Sequence, residues 1–217
     1  MSVISEIVPA PRHPGRVELV VNGHSLAIVS LDVVERLRLT VGRSIAGLEE
    51  QIAAAAAQLR AYDRALNMLA FRARSAAELT RALIRKGEDK DSVHVAIDRL
   101  RDQGLLDDAT FAQSFTRAKV LGANKSRRRV QQELAKKGVA RSVSDAAIAT
   151  VFEEEGVDQR ALVEQVARKK LRTLGRLEPL VRKRRLYAFL ARRGYDGEDI
   201  RSAMHAVGED LSADAVE

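Results

Sequence analysis

One short ending recurs three times in this chain: Leu83-Ile84-Arg85-Lys86-Gly87, Leu134-Ala135-Lys136-Lys137-Gly138 and Leu190-Ala191-Arg192-Arg193-Gly194. Each copy is an apolar residue, a linking residue, two basic residues and a glycine. Ten positions after each glycine stands a large apolar residue, Ile97, Ile148 or Met204. A period of just over fifty residues suits a unit of three short helices with their turns. Units of that size enclose only a small core each, so the copies are expected to stack on one another.

The logic of one unit is legible in the first copy. Leu66, Leu69 and Ala70 fall at helical spacing and predict the buried stripe of a first helix. Ser75, with Glu78 three residues on, reads as a capping box that starts a second helix. Leu79, Leu83 and Ile84 form its inner face, and Gly87 supplies the left-handed residue beyond its end. Arg85 and Lys86 then fall in the last turn, where positive charge complements the helix dipole by about 0.3–1 kcal/mol. Asp91 or Ser92 is expected to start the third helix, with Val93, Ile97 and Leu100 inward and Gly104 at its end.

The second copy opens at Asp107-Asp108, carries Phe111, Phe115 and Val120, and breaks at Gly122. Ser126 is expected to cap the helix that turns Val130 and Leu134 inward; a third helix spans about Ser144 to Glu154. The third copy opens at Asp158 with Leu162, Val166 and Leu171. Pro179 suits an early turn of the next helix, whose apolar set is Val181, Leu186, Phe189 and Leu190. Asp196 caps the last helix, with Ile200, Met204 and Val207 inward.

Ahead of the repeats, Pro9, Pro11 and Pro14 predict a loose arm. Asn22-Gly23 between Val17–Val21 and Leu26–Val29 is a strong hairpin signal. The expected organisation is a flexible arm over 1–15, a hairpin-and-helix segment over 16–59, three-helix repeats over 60–106, 107–156 and 157–208, and an acidic tail over 209–217. The fold class is mainly α: three tandem three-helix repeats in an elongated array behind a small β-hairpin.

Catalytic chemistry finds little support. There is no cysteine, and the histidines at 13, 24, 94 and 205 have no metal-ligand spacing. Asn124-Lys125-Ser126 resembles the end of a phosphate loop, but the Walker pattern requires glycine where Lys119 and Asn124 stand. No enzyme activity and no cofactor are expected. No apolar run reaches 18 residues, so no membrane span and a cytoplasmic location are expected.

Charge is more informative. The net charge is +7, while residues 1–60 hold six Lys/Arg and six Asp/Glu. The excess therefore lies in the repeats. One cluster holds Lys119, Lys125, Arg127, Arg128, Arg129, Lys136 and Lys137. A second holds Arg168, Lys169, Lys170 and Arg172; a third holds Arg182, Lys183, Arg184, Arg185, Arg192 and Arg193. From Arg168 to Arg193 eleven basic residues face one acid, Glu178. A solvated helix face usually alternates signs to form i,i+4 pairs; a face without acids suits phosphate. The candidate contacts are Lys125, Arg127, Arg128, Arg129, Lys136, Lys137, Arg168, Lys169, Lys170, Arg172, Arg182, Arg184 and Arg185.

Ala65-Leu66 through Leu69, Arg72-Ala73-Arg74-Ser75, Glu78-Leu79 and Leu83–Gly87 together resemble the opening motif of the RecX family of recombination regulators. Leu105-Leu106-Asp107-Asp108 with Phe111-Ala112 is similar to that family's second signature, Gly122 through Val130, Glu133-Leu134 and Lys137-Gly138 to its third, and Phe189-Leu190 through Arg193-Gly194-Tyr195 to its last. The chain departs from the pattern at Ala123-Asn124, where the family has a more basic or aromatic pair. The resemblance covers about residues 60 to 207. It implies a non-enzymatic, monomeric protein of three helical repeats that binds the RecA–DNA filament, lies in its groove, and inhibits strand exchange and ATP hydrolysis. Through the filament it would modulate homologous recombination, DNA repair and the SOS response, its basic faces meeting single- and double-stranded DNA.

Two other readings compete. Each unit could be a helix-turn-helix variant of a sequence-specific DNA-binding regulator. The third helices, however, offer Asp98 and Arg101, then Asp145 and Glu153, then Glu198 and Arg201, which is too acidic for a groove reader. The basic faces could instead meet acidic protein in a pure interaction scaffold.

Overall fold

The computed structural model describes residues 2–10 and 15–208. His13, Pro11, Pro14 and the acidic tail from Glu209 lie outside the described residues. The chain divides into two compact units, 1–106 and 107–217.

In the first unit, strands β1 (Ile4–Pro9), β2 (Arg16–Val21) and β3 (His24–Ser30) form an antiparallel sheet in that order. The hairpin between β2 and β3 turns at Asn22 and Gly23, both with positive φ, as a tight turn matched to strand twist requires. β1 was expected as part of a loose arm. It is an ordered edge strand, with Ile4 opposite Val21 and Val8 opposite Glu18. Pro9 is compatible because it closes an edge strand, where a missing N–H interrupts no central ladder. Burial of Ile4 with Leu19, Val29 and Ile52 holds the strand down.

Helix α1 (Leu31–Arg36) leads to α2 (Glu49–Phe71), 23 residues that run through the expected boundary near residue 60. Ile52, Ala55 and Ala56 of α2 close the core under the sheet, while Ala61 and Ala65 enter the core of the first repeat. An Arg16–Asp63 ion pair ties β2 to the second half of the same helix. Small residues let the neighbouring elements approach closely. The buried stripe therefore runs through Ala61 and Ala65 with Leu66 and Leu69 half-buried, and Ala70, expected inside, is exposed.

Helices α3 (Ala76–Arg85) and α4 (Lys90–Asp102) complete the first repeat. Ser75 caps α3 by accepting from the Glu78 N–H at 3.1 Å. The cap of α4 is Asp89, earlier than expected, whose carboxylate accepts from the Ser92 N–H at 2.9 Å. The extra turn buries Ser92 and Val93.

The second unit holds α5 (Asp108–Arg117), a π-helical turn (Ala118–Gly122), α6 (Arg127–Lys136), α7 (Arg141–Glu154), α8 (Gln159–Arg172), α9 (Pro179–Arg192) and α10 (Gly197–Ala206). Asp107, Ser126, Asp158 and Asp196 cap α5, α6, α8 and α10 through their side chains. Helix α7 starts three residues earlier than expected, behind Ala140. Leu83, Leu134 and Leu190 are all fully buried, so the repeated leucine is the core residue of each unit. Val181, expected inward, is exposed near the start of α9.

Candidate nucleic-acid interface

The thirteen cations singled out by sequence all belong to the second unit, and the fold sorts them into three kinds. Arg182 is buried, with 3 % of its surface exposed. It cannot lie on an open phosphate-binding face, contrary to expectation. The helical period puts it on the inner side of α9 with Leu186 and Leu190, turned away from Arg184 two residues on.

A second group is anchored in the fold. Arg127 stacks its guanidinium 4.0 Å from the ring centroid of Phe152 on α7. Arg129 donates to Glu133 at 2.9 Å. Lys137 lies 5.3 Å from the Phe115 ring and 5.8 Å from that of Phe111, and Lys170 lies 5.3 Å from the Phe189 ring. Arg168 donates to the Ala206 carbonyl at 3.2 Å. Lys125 is half-buried in the turn before α6. Cation–ring contacts of this kind contribute about 0.5–1 kcal/mol at exposed sites.

The third group is Arg128, Lys136, Lys169, Arg172, Arg184 and Arg185, all exposed. Arg128, Lys169, Arg172, Arg184 and Arg185 have no carboxylate partner among the described residues. On α9 the exposed face runs Leu180, Arg184, Tyr187 at i, i+4, i+7, with Lys183 alongside. Tyr187, 47 % exposed, was not singled out by sequence. Its ring offers a stacking surface next to Arg184, and the i,i+3 spacing of the two was the available signal.

The start of α6 carries three arginines in its first turn, against the helix dipole. Two of its first-turn amides are already occupied: the Arg127 N–H donates to Gln159 Oε1 at 3.3 Å and the Arg129 N–H to the Ser126 hydroxyl at 3.2 Å. An anion placed there would meet side chains, with Arg128 exposed.

The second and third repeats meet through backbone groups. Arg193 donates from Nη1 to the Ala123 carbonyl and lies 4.6 Å from the Phe189 ring centroid. The Tyr195 hydroxyl donates to the Asn124 carbonyl at 3.1 Å, and burial pushes the Tyr195 pKa up to about 12. The Ser126 N–H donates to the Arg193 carbonyl at 3.3 Å. The joint therefore reads main-chain carbonyls of the Ala123-Asn124 turn, which leaves the side chains of that pair free to vary. Asn124 itself sits at a φ of 48°, a region asparagine tolerates. The joint places Ser126 and Arg129 beside Arg193 and Gly194. It leaves Lys136 and Lys137 at the far end of α6, about 14 Å away at 1.5 Å per residue.

Among the described residues no group of three His, Asp or Glu could hold a metal ion. No helix is long and apolar enough to cross a membrane. Asp98 pairs with Arg101 at 3.3 Å, and Asp145 accepts from Gln131 and meets Arg141 at 3.6 Å, so third-helix groups of two repeats are engaged within the chain.

Models of the first, second and third three-helix domains of RecX match residues 61–100, 107–148 and 158–204 in that order. The chain is 38% identical over 153 residues to the regulatory protein RecX of Chlorobaculum tepidum, covering 70% of this chain and 91% of that one. It is 40% identical over 140 residues to that of Mycolicibacterium vanbaalenii, covering 60% and 73%. Among solved structures, a regulatory protein RecX superposes with a TM-score of 0.75 over 94% of this chain and all of that one, at 24% identity. RecX from Lactobacillus salivarius superposes at 0.59 over 70% of this chain, at 19% identity.

Proposed function

From a chain that belongs to the RecX family of regulatory proteins, we propose a regulator that binds the RecA–DNA filament and inhibits strand exchange and ATP hydrolysis. The observation that carries the reading is the exposed cation set of α8 and α9, Lys169, Arg172, Arg184 and Arg185, in a chain carrying all three RecX domains in order. A face of like charges without acids tolerates mutual repulsion in the free protein and is relieved by phosphate. Repeated helical units present such groups along an extended ligand rather than at one enclosed site. The groove-reading alternative is disfavoured by the engaged acids of the third helices. Regulation would act on recombination and repair in the cytoplasm, through protein and phosphate contacts rather than catalysis.

The test is inhibition of RecA strand exchange and of its DNA-dependent ATPase by the purified protein. Inhibition is expected at well below one copy per recombinase monomer. A folded protein that leaves both activities unchanged removes the reading.

A further inference from the structure

The first repeat carries a feature that its charge balance sets apart. Residues 61–106 hold nine Lys/Arg against seven Asp/Glu, so this repeat is nearly neutral. Yet between the last turn of α2 and both ends of α3 lies a cleft of about 470 Å³, lined by Arg64, Asn67, Met68, Phe71, Arg74 and Lys86. Its volume is within the usual range of binding pockets. Phe71 is 86 % exposed, the most exposed large apolar residue among those described. Exposed apolar surface rimmed by charge marks a contact site, and a methionine floor adapts to irregular side chains.

The cations around the cleft are half-compensated. Arg64 meets the buried Glu88 at 2.7 Å and donates to the Lys86 carbonyl at 3.1 Å. Arg74 stands 4.0 Å from Glu78, and its Nε has no hydrogen-bond partner. The Lys86 ammonium projects from the exposed end of α3. Glu88 is buried against Arg64 and Glu78 pairs with Arg72 and Arg74, so the cleft offers a polyphosphate strand no run of uncommitted cations to follow. A peptide bearing one or two carboxylates beside an apolar side chain matches both the charge and the Met68–Phe71 surface.

We infer that this cleft docks an acidic peptide segment of a protein partner, anchored by one apolar side chain against Met68 and Phe71 and oriented by Arg74 and Lys86. It is a contact of a different kind from the basic faces of the second unit, and it does not depend on what those faces bind.

The chain contains no tryptophan, so Phe71→Trp in the 217-residue chain places a single indole at the cleft while keeping an aromatic anchor. The probes are a blocked pentapeptide with two acidic residues flanking a central leucine, the same peptide with a central serine, and oligothymidylate. A saturable blue shift with the leucine peptide is expected, at a millimolar dissociation constant or tighter. Affinity should fall about tenfold for the serine peptide, as expected when a buried leucine is lost. It should also fall severalfold when Lys86→Glu is added, with helical circular dichroism unchanged. No saturable response to the leucine peptide, equal binding of the serine peptide, indifference to Lys86→Glu, or an indole blue shift with oligothymidylate that Lys86→Glu abolishes would each overturn the inference; the last would make the cleft a nucleic-acid site.

Discussion

Gly87 and Gly194 end the second helices of the first and third repeats with the same φ, 88°, but in different surroundings. A Cβ at Gly87 would meet nothing within 4 Å, whereas one at Gly194 would sit 2.5 Å from Arg129 Cβ and 2.8 Å from Ser126 Oγ. The cations beside them differ in the same way. Arg85 and Lys86 are exposed; Arg193 is held over Phe189 and bonded to the Ala123 carbonyl. In the second repeat Lys137 is drawn over Phe111 and Phe115. One ending thus does two things. In every copy it stops a helix, and in the third copy it also joins two repeats.

The comparison can be broken or sharpened by substitution, with calorimetry of the full chain assigning each change to its compact unit. What the copies share should cost most. Leu83→Ala, Leu134→Ala and Leu190→Ala should each lose about 2–5 kcal/mol, because all three leucines are fully buried. A loss below half a kcal/mol at any of them would remove that leucine from its core.

The glycines should separate next. Gly87→Ala should cost about 1–2 kcal/mol, the strain of a left-handed Cβ. Gly194→Ala should add about 1–3 kcal/mol of overpacking against Ser126 and Arg129. Equal costs would mean that the joint relaxes freely.

The neighbouring cations follow. Arg193→Ala should lose about 1–3 kcal/mol, since it strips a bonded donor from the joint. Lys86→Ala should stay within about 0.5 kcal/mol, as exposed positions do.

A smaller effect separates helix starts by pH. The Asp107 carboxyl is held below its ordinary range by the Thr110 hydroxyl and the Ala109 and Thr110 amides, and Asp89 chiefly by the Ser92 amide. A depressed folded pKa means stability that is present above the unfolded value near 3.9 and lost as pH falls through the folded value. Asp107→Asn keeps an N-cap without the titration, so its deficit against the parent protein, read from denaturant melts, should shrink as pH drops below about 4. A deficit constant from pH 7 to pH 3 would contradict the assigned cause.

The least effect on stability is expected where DNA contact is proposed. Replacing Lys169, Arg172, Arg184 and Arg185 with Ala should leave the melting temperature nearly unchanged. It should flatten the slope of log affinity for single-stranded DNA against log salt by about 2.8, at roughly 0.7 per phosphate. An unchanged slope would make these residues a solvated face.

Much of this architecture is local and so was open to reading from the chain alone. Ser75, Asp107, Ser126, Asp158 and Asp196 cap helices because a cap needs only its own amides two or three residues on. The positive-φ glycines and the i,i+4 pairing of Phe115 with Lys119 and Phe189 with Arg193 are equally local. The thirteen-residue cation set was legible as charge but not as surface. Burial of Arg182, and the seating of Arg127 on Phe152 and Lys170 on Phe189, depend on which helix packs where.

The repeat period, the helix ends marked by Ser75, Asp107, Ser126, Asp158, Asp196 and the repeated glycines, and the core leucines were determined by the sequence itself, because periodicity, capping and glycine conformation act within a few residues. The tertiary structure alone decided three further things. Residues 4–9 form a strand because a hydrophobic core under β2 and β3 is there to receive Ile4. Helix α2 serves two cores because the sheet and the first repeat lie along it. Only some of the cations stay on the surface, because rings and carbonyls up to about seventy residues away claim the rest. For a cation, burial is a property of what arrives from elsewhere in the chain, and no local pattern encodes it.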